Sequence, residues 1–362
     1  MLSDRLAVTE ENDLIEVRPD ERFDEARLHE HLRGELPGTD AAMRVMQFAG
    51  GKANLTYLLR FGADQEYVLR RPPLGPYAPS AHDMGREYKV LSVLYKAFPL
   101  APRAYYFCDD ETVLGAPFFL MERRHGVVLR GLMPGCFAGD SDAPRQMSEA
   151  LVDALAAFHA VDYAALGLSD LGRPAGFVQR QVEGWNRRWQ AAKLEDDADV
   201  EAIYQWLADH LPQSAYNSLV HNDFKLDNTM YSTDDPSRMV AVFDWDMCTL
   251  GDPLSDVGML LTYWTQPDDP PLVKSIGTMP EAGYGFFSRD EILQRYAVQS
   301  GLDLANMRFY HVLGIFRLLV ILQQIYLRYV RGFTQDERFA SLGRAVDGLI
   351  QWARDVMQGE RG

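Results

Sequence analysis

This sequence has little cysteine and is short of positive charge. Cys108, Cys136 and Cys248 are the only three in 362 residues, far apart and never as CxxC. That spacing excludes a zinc ribbon and a thioredoxin-type redox motif. Three isolated thiols point instead to free cysteines in a reducing compartment. Lys and Arg number 36 against 52 Asp and Glu, a net charge of −16. A general nucleic-acid binder needs a basic footprint to displace counterions from phosphates, and such acidity excludes one. A small basic cluster around a phosphorylated ligand stays compatible with it. Long hydrophobic runs are missing too: Leu313–Leu322 is broken by Arg317 and falls short of the ~20 residues needed to cross a bilayer. The N-terminus is acidic and lacks the basic start and apolar core of a signal peptide. The expectation is a cytoplasmic protein with no nucleic-acid and no membrane partner.

Several catalytic signatures are absent as well. There is no GxxxxGK[ST] loop, no GxSxG nucleophile elbow and no HExxH. His29-Glu30-His31 has the wrong helical separation for a shared metal and reads as a solvated stretch. Gly283-Tyr284-Gly285 lacks the third glycine of a dinucleotide fingerprint.

What is present is apolar substance, 47% of the chain, enough for sizeable cores without disulfide or metal staples. At roughly 150 residues per domain the length predicts about two domains or one large bilobal one. Residues 1–40 form a polar lead-in with one short helix over Asp24–Leu36, stopped by Pro37-Gly38. Met43–Phe48, Asn54–Phe61 and Glu66–Arg71 read as strands joined by tight glycine-bearing turns. Met84, Tyr88, Leu91, Tyr95 and Phe98 recur at helical spacing and predict a helix over His82–Phe98. Arg103–Cys108 and Pro117–Glu122 complete a small sheet. Ser141-Asp142-Ala143-Pro144 starts a helical stretch with an Asp or Ser cap and an early proline. Helices dominate from there, with Trp185 and Trp189 at core spacing, interrupted by strands at Ser218–His221, Asn228–Tyr231 and Met239–Trp245. Segregated strands and helices define an α+β class with a β-rich lobe over 41–123 and a mostly helical lobe over 124–362.

The densest chemistry is His221-Asn222-Asp223-Phe224-Lys225-Leu226-Asp227-Asn228, followed by Val242-Phe243-Asp244-Trp245-Asp246. A short strand delivers His221 to a loop that exposes Asp223 and, five residues on, Asn228. Apolar strands then carry Asp244 back. Two carboxylates and one amide oxygen form a hard, all-oxygen set that suits Mg²⁺ over zinc. A base aspartate five residues before a metal-binding asparagine, with a second metal aspartate on the next hairpin, is an arrangement used for phosphoryl transfer. Gly50-Gly51 lies between two strands, where glycines let backbone approach phosphate closely.

HNDFKLDNTMY and VFDWDMCTLGDPLSDVG resemble the aminoglycoside phosphotransferase-like family of small-molecule kinases, whose fold is that of protein kinases. The resemblance spans about residues 40–330. YVLRRPPLGPYAPSAHDMGREYKVL is similar to the branch whose kinase-like domains are fused to acyl-CoA dehydrogenases in some animal proteins. The resemblance implies a bilobal kinase-like fold using ATP and Mg²⁺ on a small-molecule hydroxyl acceptor. It makes Asp223 the catalytic aspartate, Asn228 and Asp244 the Mg²⁺ ligands, and Lys225 a neutraliser of charge on the transferred group. His221 braces the loop, Asp256 holds it by hydrogen bonds, and Asp246 either supports the metal ligands from behind without touching the metal or forms the turn.

Where protein kinases place a phosphate-clamping lysine, this sequence has Arg70, or else Arg71, with Glu87 as its helix partner. Arginine keeps the charge but is larger and less adaptable. Phe118–Arg123 resembles the segment linking the lobes, with backbone near Glu122 and Arg123 reading the adenine edge. The family allows aminoglycoside, choline, sugar or homoserine acceptors, while the branch implies a hydroxyacyl-CoA. Arg187, Arg188 and Lys193 are the basic residues such an acceptor would use, unless they form a solvated face. A nucleotide-binding regulatory module is the alternative, favoured only by Arg70.

Overall fold

The computed structural model describes residues 14–50, 54–75, 82–213, 216–277, 279–334 and 336–359. They divide into two compact units. The first runs to Val128 and adds Pro134–Ala138 and Thr229–Cys248. The second holds Leu129–Met133, Gly139–Asn228 and the chain from Thr249 onward. Thr229–Cys248 thus joins the first unit, although chain order groups it with the helical lobe.

The first unit opens with strand β1 (Leu14–Ile15) and helix α1 (Glu25–Leu32). Asp24 caps α1 by accepting from the Arg27 amide at 2.9 Å. Strands β2 (Met43–Phe48), β3 (Leu55–Phe61) and β4 (Gln65–Arg71) follow as antiparallel neighbours. Helix α2 (Met84–Leu94) is capped by Asp83 and ends four residues before Phe98. β5 (Ala104–Cys108), the short helix α3 (Glu111–Leu114) and β6 (Phe118–Met121) complete a six-stranded sheet of order β1-β2-β3-β4-β6-β5. Alternation along β3 and β4 sends Tyr57, Leu59, Tyr67 and Leu69 to the core shared with Leu28 and Leu32. The opposite face carries Arg70 toward α2. His31 is not simply solvated as the sequence suggests, because its Nε2 meets the Tyr106 hydroxyl at 2.9 Å. β7 (Val127–Val128) closes the first pass through this unit.

The second unit begins with α4 (Ala143–His159), α5 (Phe177–Ala192) and α6 (Ala198–Asp209). Pro144 sits in the first turn of α4 as expected. The capping carboxylate, however, is Asp140, which accepts from the Asp142 and Ala143 amides. Trp185 and Trp189 are buried. After β8 (Ser218–Val220) the chain returns to the first unit, where β9 (Thr229–Tyr231) pairs with β7 and β10 (Met239–Val242) pairs with β9. Back in the second unit, β11 (Thr249–Gly251) pairs with β8. Helices α7 (Leu254–Tyr263), α8 (Pro271–Ile276), α9 (Arg289–Ser300), α10 (Met307–Val330) and α11 (Leu342–Gln358) end the chain.

By length and composition α10 is the one described helix apolar enough to cross a bilayer, but 72% of its apolar window is buried in the protein. It packs against α7, α11 and α5 and is a core helix. Gly258 of α7 and Gly314 of α10 make the closest approach possible. A Cβ on Gly258 would lie 2.1 Å from the Tyr310 carbonyl oxygen, and one on Gly314 would lie 2.6 Å from that of Gly258.

Candidate active site

In the second unit the pairing of β8 with β11 fixes where the chain leaves the sheet at His221. The carboxylate of Asp256, on α7, accepts the His221 amide at 2.6 Å and the Asn222 amide at 2.7 Å. His159, at the end of α4, approaches the same carboxylate at 3.2 Å and meets the Tyr296 hydroxyl at 2.6 Å. Burial works to raise the Asp256 pKa, but the contacts with His159 and His221 outweigh it and hold the carboxyl below its ordinary range. Asn222 adopts a left-handed backbone, φ +68°, a conformation asparagine takes up more readily than other non-glycine residues. The hydrogen bond from its N–H to Asp256 and the 3.1 Å hydrogen bond from Arg317 to its carbonyl hold the turn in place.

The turn at Asn222 swings out Asp223, whose side chain keeps 13% of its surface exposed. Asn228 Nδ2 donates to the Asp223 carbonyl at 2.9 Å and to its Oδ2 at 2.8 Å. With the amide nitrogen facing Asp223, the Asn228 oxygen is the atom left for a cation. Lys225 Nζ lies 2.9 Å from the same Oδ2 and 4.6 Å from the Tyr263 ring centre. Burial alone lowers the Lys225 pKa, yet the Asp223 carboxylate prevails and raises it. Burial, then the Asp223 charge, push the Tyr263 hydroxyl up to about 12. Asp223, Lys225 and Asn228 are therefore brought together as one hydrogen-bonded cluster.

The first unit builds a second cluster. Arg70 Nε lies 2.9 Å from Glu87 Oε2, and its Nη2 donates to Asp244 Oδ1 at 2.6 Å. Arg70, not Arg71, is the partner of Glu87; Arg71 points to the other face, beside Tyr57. Burial opposes the Arg70 charge, but Glu87 and Asp244 raise its pKa. Burial pushes Glu87 up to about 7 against the pull of Arg70, with Asp246 and Asp244 adding to the rise. Three carboxylates around one guanidinium leave an excess of negative charge that suits a divalent cation. Asp244 itself is left-handed, φ +68°, a strained conformation of the kind that gathers at functional sites. Buried Trp245 anchors it, donating from its indole to the Val242 carbonyl at 2.8 Å and packing edge-on against Phe98.

The remaining expected residues are placed less directly. Gly50 lies in a turn after β2, while Gly51 falls outside the described residues. The Glu122 amide donates to the Arg103 carbonyl at 2.8 Å, so it is not available to an adenine edge. Its carboxylate pairs with Arg124 at 2.9 Å, and Arg123 pairs with Glu66 at 2.5 Å. Both residues border a cavity of about 540 Å³ shared with Tyr67, Arg103, Tyr105 and His125. Among the described residues no group of three or more His, Cys, Asp or Glu forms a metal cage. Mg²⁺ needs no such cage, since one or two protein ligands plus substrate phosphates suffice. The sequence reading missed His159, Tyr296 and Arg317 as supports of the Asp223 loop. A lone arginine inside the apolar run of α10 was the signal for the last.

A model of the phosphotransferase enzyme family matches residues 44–290, a span containing both clusters. The chain belongs to that family. Among curated relatives of this phosphotransferase-family chain, acyl-CoA dehydrogenase family member 11 of Pongo abelii is 34% identical over 352 residues. The match takes in 95% of this chain and 44% of that protein. Mouse acyl-CoA dehydrogenase family member 10 is 31% identical over 332 residues, 91% of this chain and 30% of the relative. The chain thus spans less than half the length of these relatives.

Among solved structures, a Ralstonia eutropha protein carrying the provisional name of aminoglycoside phosphotransferase matches with a TM-score of 0.80 and 29% identity. That match covers 93% of this chain and 99% of the other. A microcompartment-associated aminopropanol kinase matches at 0.60 with 17% identity, covering 93% and 98%. An aminoglycoside phosphotransferase in complex with AMP-PNP and hygromycin B matches at 0.57 with 18% identity, covering 90% and 97%. The fold is accordingly α+β and kinase-like.

Proposed function

We propose that this phosphotransferase-family chain is an ATP- and Mg²⁺-dependent kinase that phosphorylates a hydroxyl of a small molecule. The observation that carries the reading is the Asp223 carboxylate, partly accessible on a braced turn and held at 2.8 and 2.9 Å by Asn228 and Lys225. An acceptor hydroxyl attacks the terminal phosphorus of the nucleotide, its proton passes to Asp223, and ADP leaves. Lys225 offsets negative charge beside the transferred group. Arg70, fixed by Glu87, clamps phosphate oxygens, and Gly50 and Gly51 are assigned to cover them. Asn228 and Asp244 would hold the Mg²⁺, which supplies charge compensation across the phosphates when bound. Such catalysis is mostly positioning and electrostatics.

The acyl-CoA dehydrogenase names of the relatives favour a hydroxyacyl-CoA as acceptor; a cytoplasmic setting without membrane partners is part of the same proposal, and the net charge of −16 is what speaks against a nucleic-acid partner. Against the reading as a catalytically weak nucleotide-binding module stands the Arg70–Glu87 pair, the partner expected of the clamping lysine. The test is ADP release with Mg·ATP against hydroxyacyl-CoAs, aminoglycosides, choline and simple sugars. Asp223→Asn is expected to lower kcat by roughly 10²–10⁴-fold while Mg·ATP still binds. Turnover at the wild-type rate in that variant would remove Asp223 from the mechanism.

A further inference from the structure

Within the second unit, helix α7 touches the Asp223 loop from both of its ends. Asp256, in its first turn, accepts the His221 and Asn222 amides. Tyr263 is its last residue, seven positions on, and seven residues make nearly two full helical turns. Both side chains therefore leave α7 on one face, the face toward the loop. Asp256 fixes backbone there. Tyr263 meets a side chain instead, its ring centre 4.6 Å from Lys225 Nζ.

Lys225 has two carboxylates within reach. Its Nζ lies 2.9 Å from Asp223 Oδ2 and 4.0 Å from Asp227 Oδ2. An ammonium on a four-carbon stem is a mobile point charge, so two nearby carboxylates do not settle its place. The face of an aromatic ring adds a directional attraction that does. Burial, then the Asp223 charge, push the Tyr263 hydroxyl up to about 12, so near neutral pH the ring is an uncharged phenol and acts on Lys225 through its face. Where Lys225 sits decides which oxygen of Asp223 can react. Oδ2 already accepts from Lys225 and, at 2.8 Å, from Asn228 Nδ2. Among the described residues nothing donates to Oδ1.

We infer that Tyr263 is a positioning residue: its ring holds Lys225 on Asp223 Oδ2 and thereby reserves Oδ1 for the acceptor hydroxyl. As the hydroxyl oxygen bonds to the terminal phosphorus and the bond from phosphorus to the ADP oxygen breaks, the hydroxyl proton passes to Oδ1. The hold of the ring on Lys225 stands on geometry alone; its effect on turnover rests on the kinase reading above.

The experiment compares wild type with Tyr263→Phe, which keeps the ring, and Tyr263→Leu, which removes it. Labelling with limiting acetic anhydride reads Lys225 without turnover, by peptide mass spectrometry against Lys89, an exposed lysine of the first unit. Tyr263→Leu is expected to label Lys225 about threefold faster than wild type, the scale of one cation–π contact, and Tyr263→Phe at the wild-type rate. Steady-state ADP release over the acceptor panel above should show kcat about fivefold lower in Tyr263→Leu, an unchanged KM for Mg·ATP, and near wild-type turnover in Tyr263→Phe. The folded fraction of each variant is taken from its urea unfolding curve, and kcat is expressed per folded molecule. Tyr263→Met gives the same comparison if the leucine variant does not fold. Equal labelling of Lys225 in all three proteins would overturn the hold of the ring. Faster labelling with an unchanged kcat would overturn the positioning role. A phenylalanine variant as impaired as leucine would transfer the effect to the hydroxyl and overturn the assignment to the ring. Faster labelling in Tyr263→Leu, with no ADP release from any protein including wild type, would keep the hold on Lys225 and overturn the kinase reading.

Discussion

Arg70 touches Glu87 and Asp244 through different nitrogens of one planar group, which a lysine ammonium does not reproduce. Arg70→Lys is therefore expected to lower kcat/KM for Mg·ATP about tenfold or more, measured by steady-state ADP release. An unchanged value would mean that the bridge between the two carboxylates is immaterial. At this scale the sequence was most informative where chemistry is contiguous. Asp223, Lys225 and Asn228 fall within six residues, and their mutual hydrogen bonds follow from that closeness. Glu122 and Arg123 were legible by position only, since the Glu122 amide is taken by Arg103 through strand pairing that no local pattern announces. His159 and Arg317 escaped because they act across 97 and 95 residues on Asp256 and Asn222. A histidine closing an amphipathic helix looks the same whether it braces a loop or not.

Helices α7 and α10 meet at Gly258 and Gly314 with backbone nearly touching backbone. These two helices carry Asp256, Tyr263 and Arg317, so their separation sets how the Asp223 loop is held. Gly258→Ala and Gly314→Ala each force a Cβ into a carbonyl and are expected to cost about 1–3 kcal/mol, seen as a lower denaturation midpoint with an unchanged slope. Two single variants as stable as wild type would show that the helices part freely. Strands β2 to β6 were legible because each is a short run rich in Val, Leu, Tyr or Phe, the first three set apart by glycine-bearing turns, and their ends agree within about two residues. β1, β7 and β11 contain only two or three residues, too few for a period to register, so they exist through their partners alone.

The stability of the second unit has a pH dependence traceable to His311, a buried residue edge-on to Trp352. Burial, reinforced by Arg289, pushes its pKa down to about 3. The unfolded chain takes up this proton below about pH 6.5 while the folded protein stays neutral. The contribution is therefore complete above that pH and lost as the pH falls toward 3. Between pH 7 and 4.5 the loss of stability should be smaller in His311→Phe by roughly 2.5 kcal/mol, read from urea unfolding at both values. An equal loss in both proteins would mean that His311 already protonates in the fold.

The division of the chain has its own consequence. The first unit is finished only by Thr229–Cys248, where β9 and β10 extend from β7, the Val242 amide reaches the Leu100 carbonyl at 2.9 Å, and Trp245 covers Phe98. As the polypeptide emerges from the ribosome, the elements up to β7 wait for a segment made about 100 residues later. Until that segment arrives, Phe98 and the edge of β7 lack their native cover.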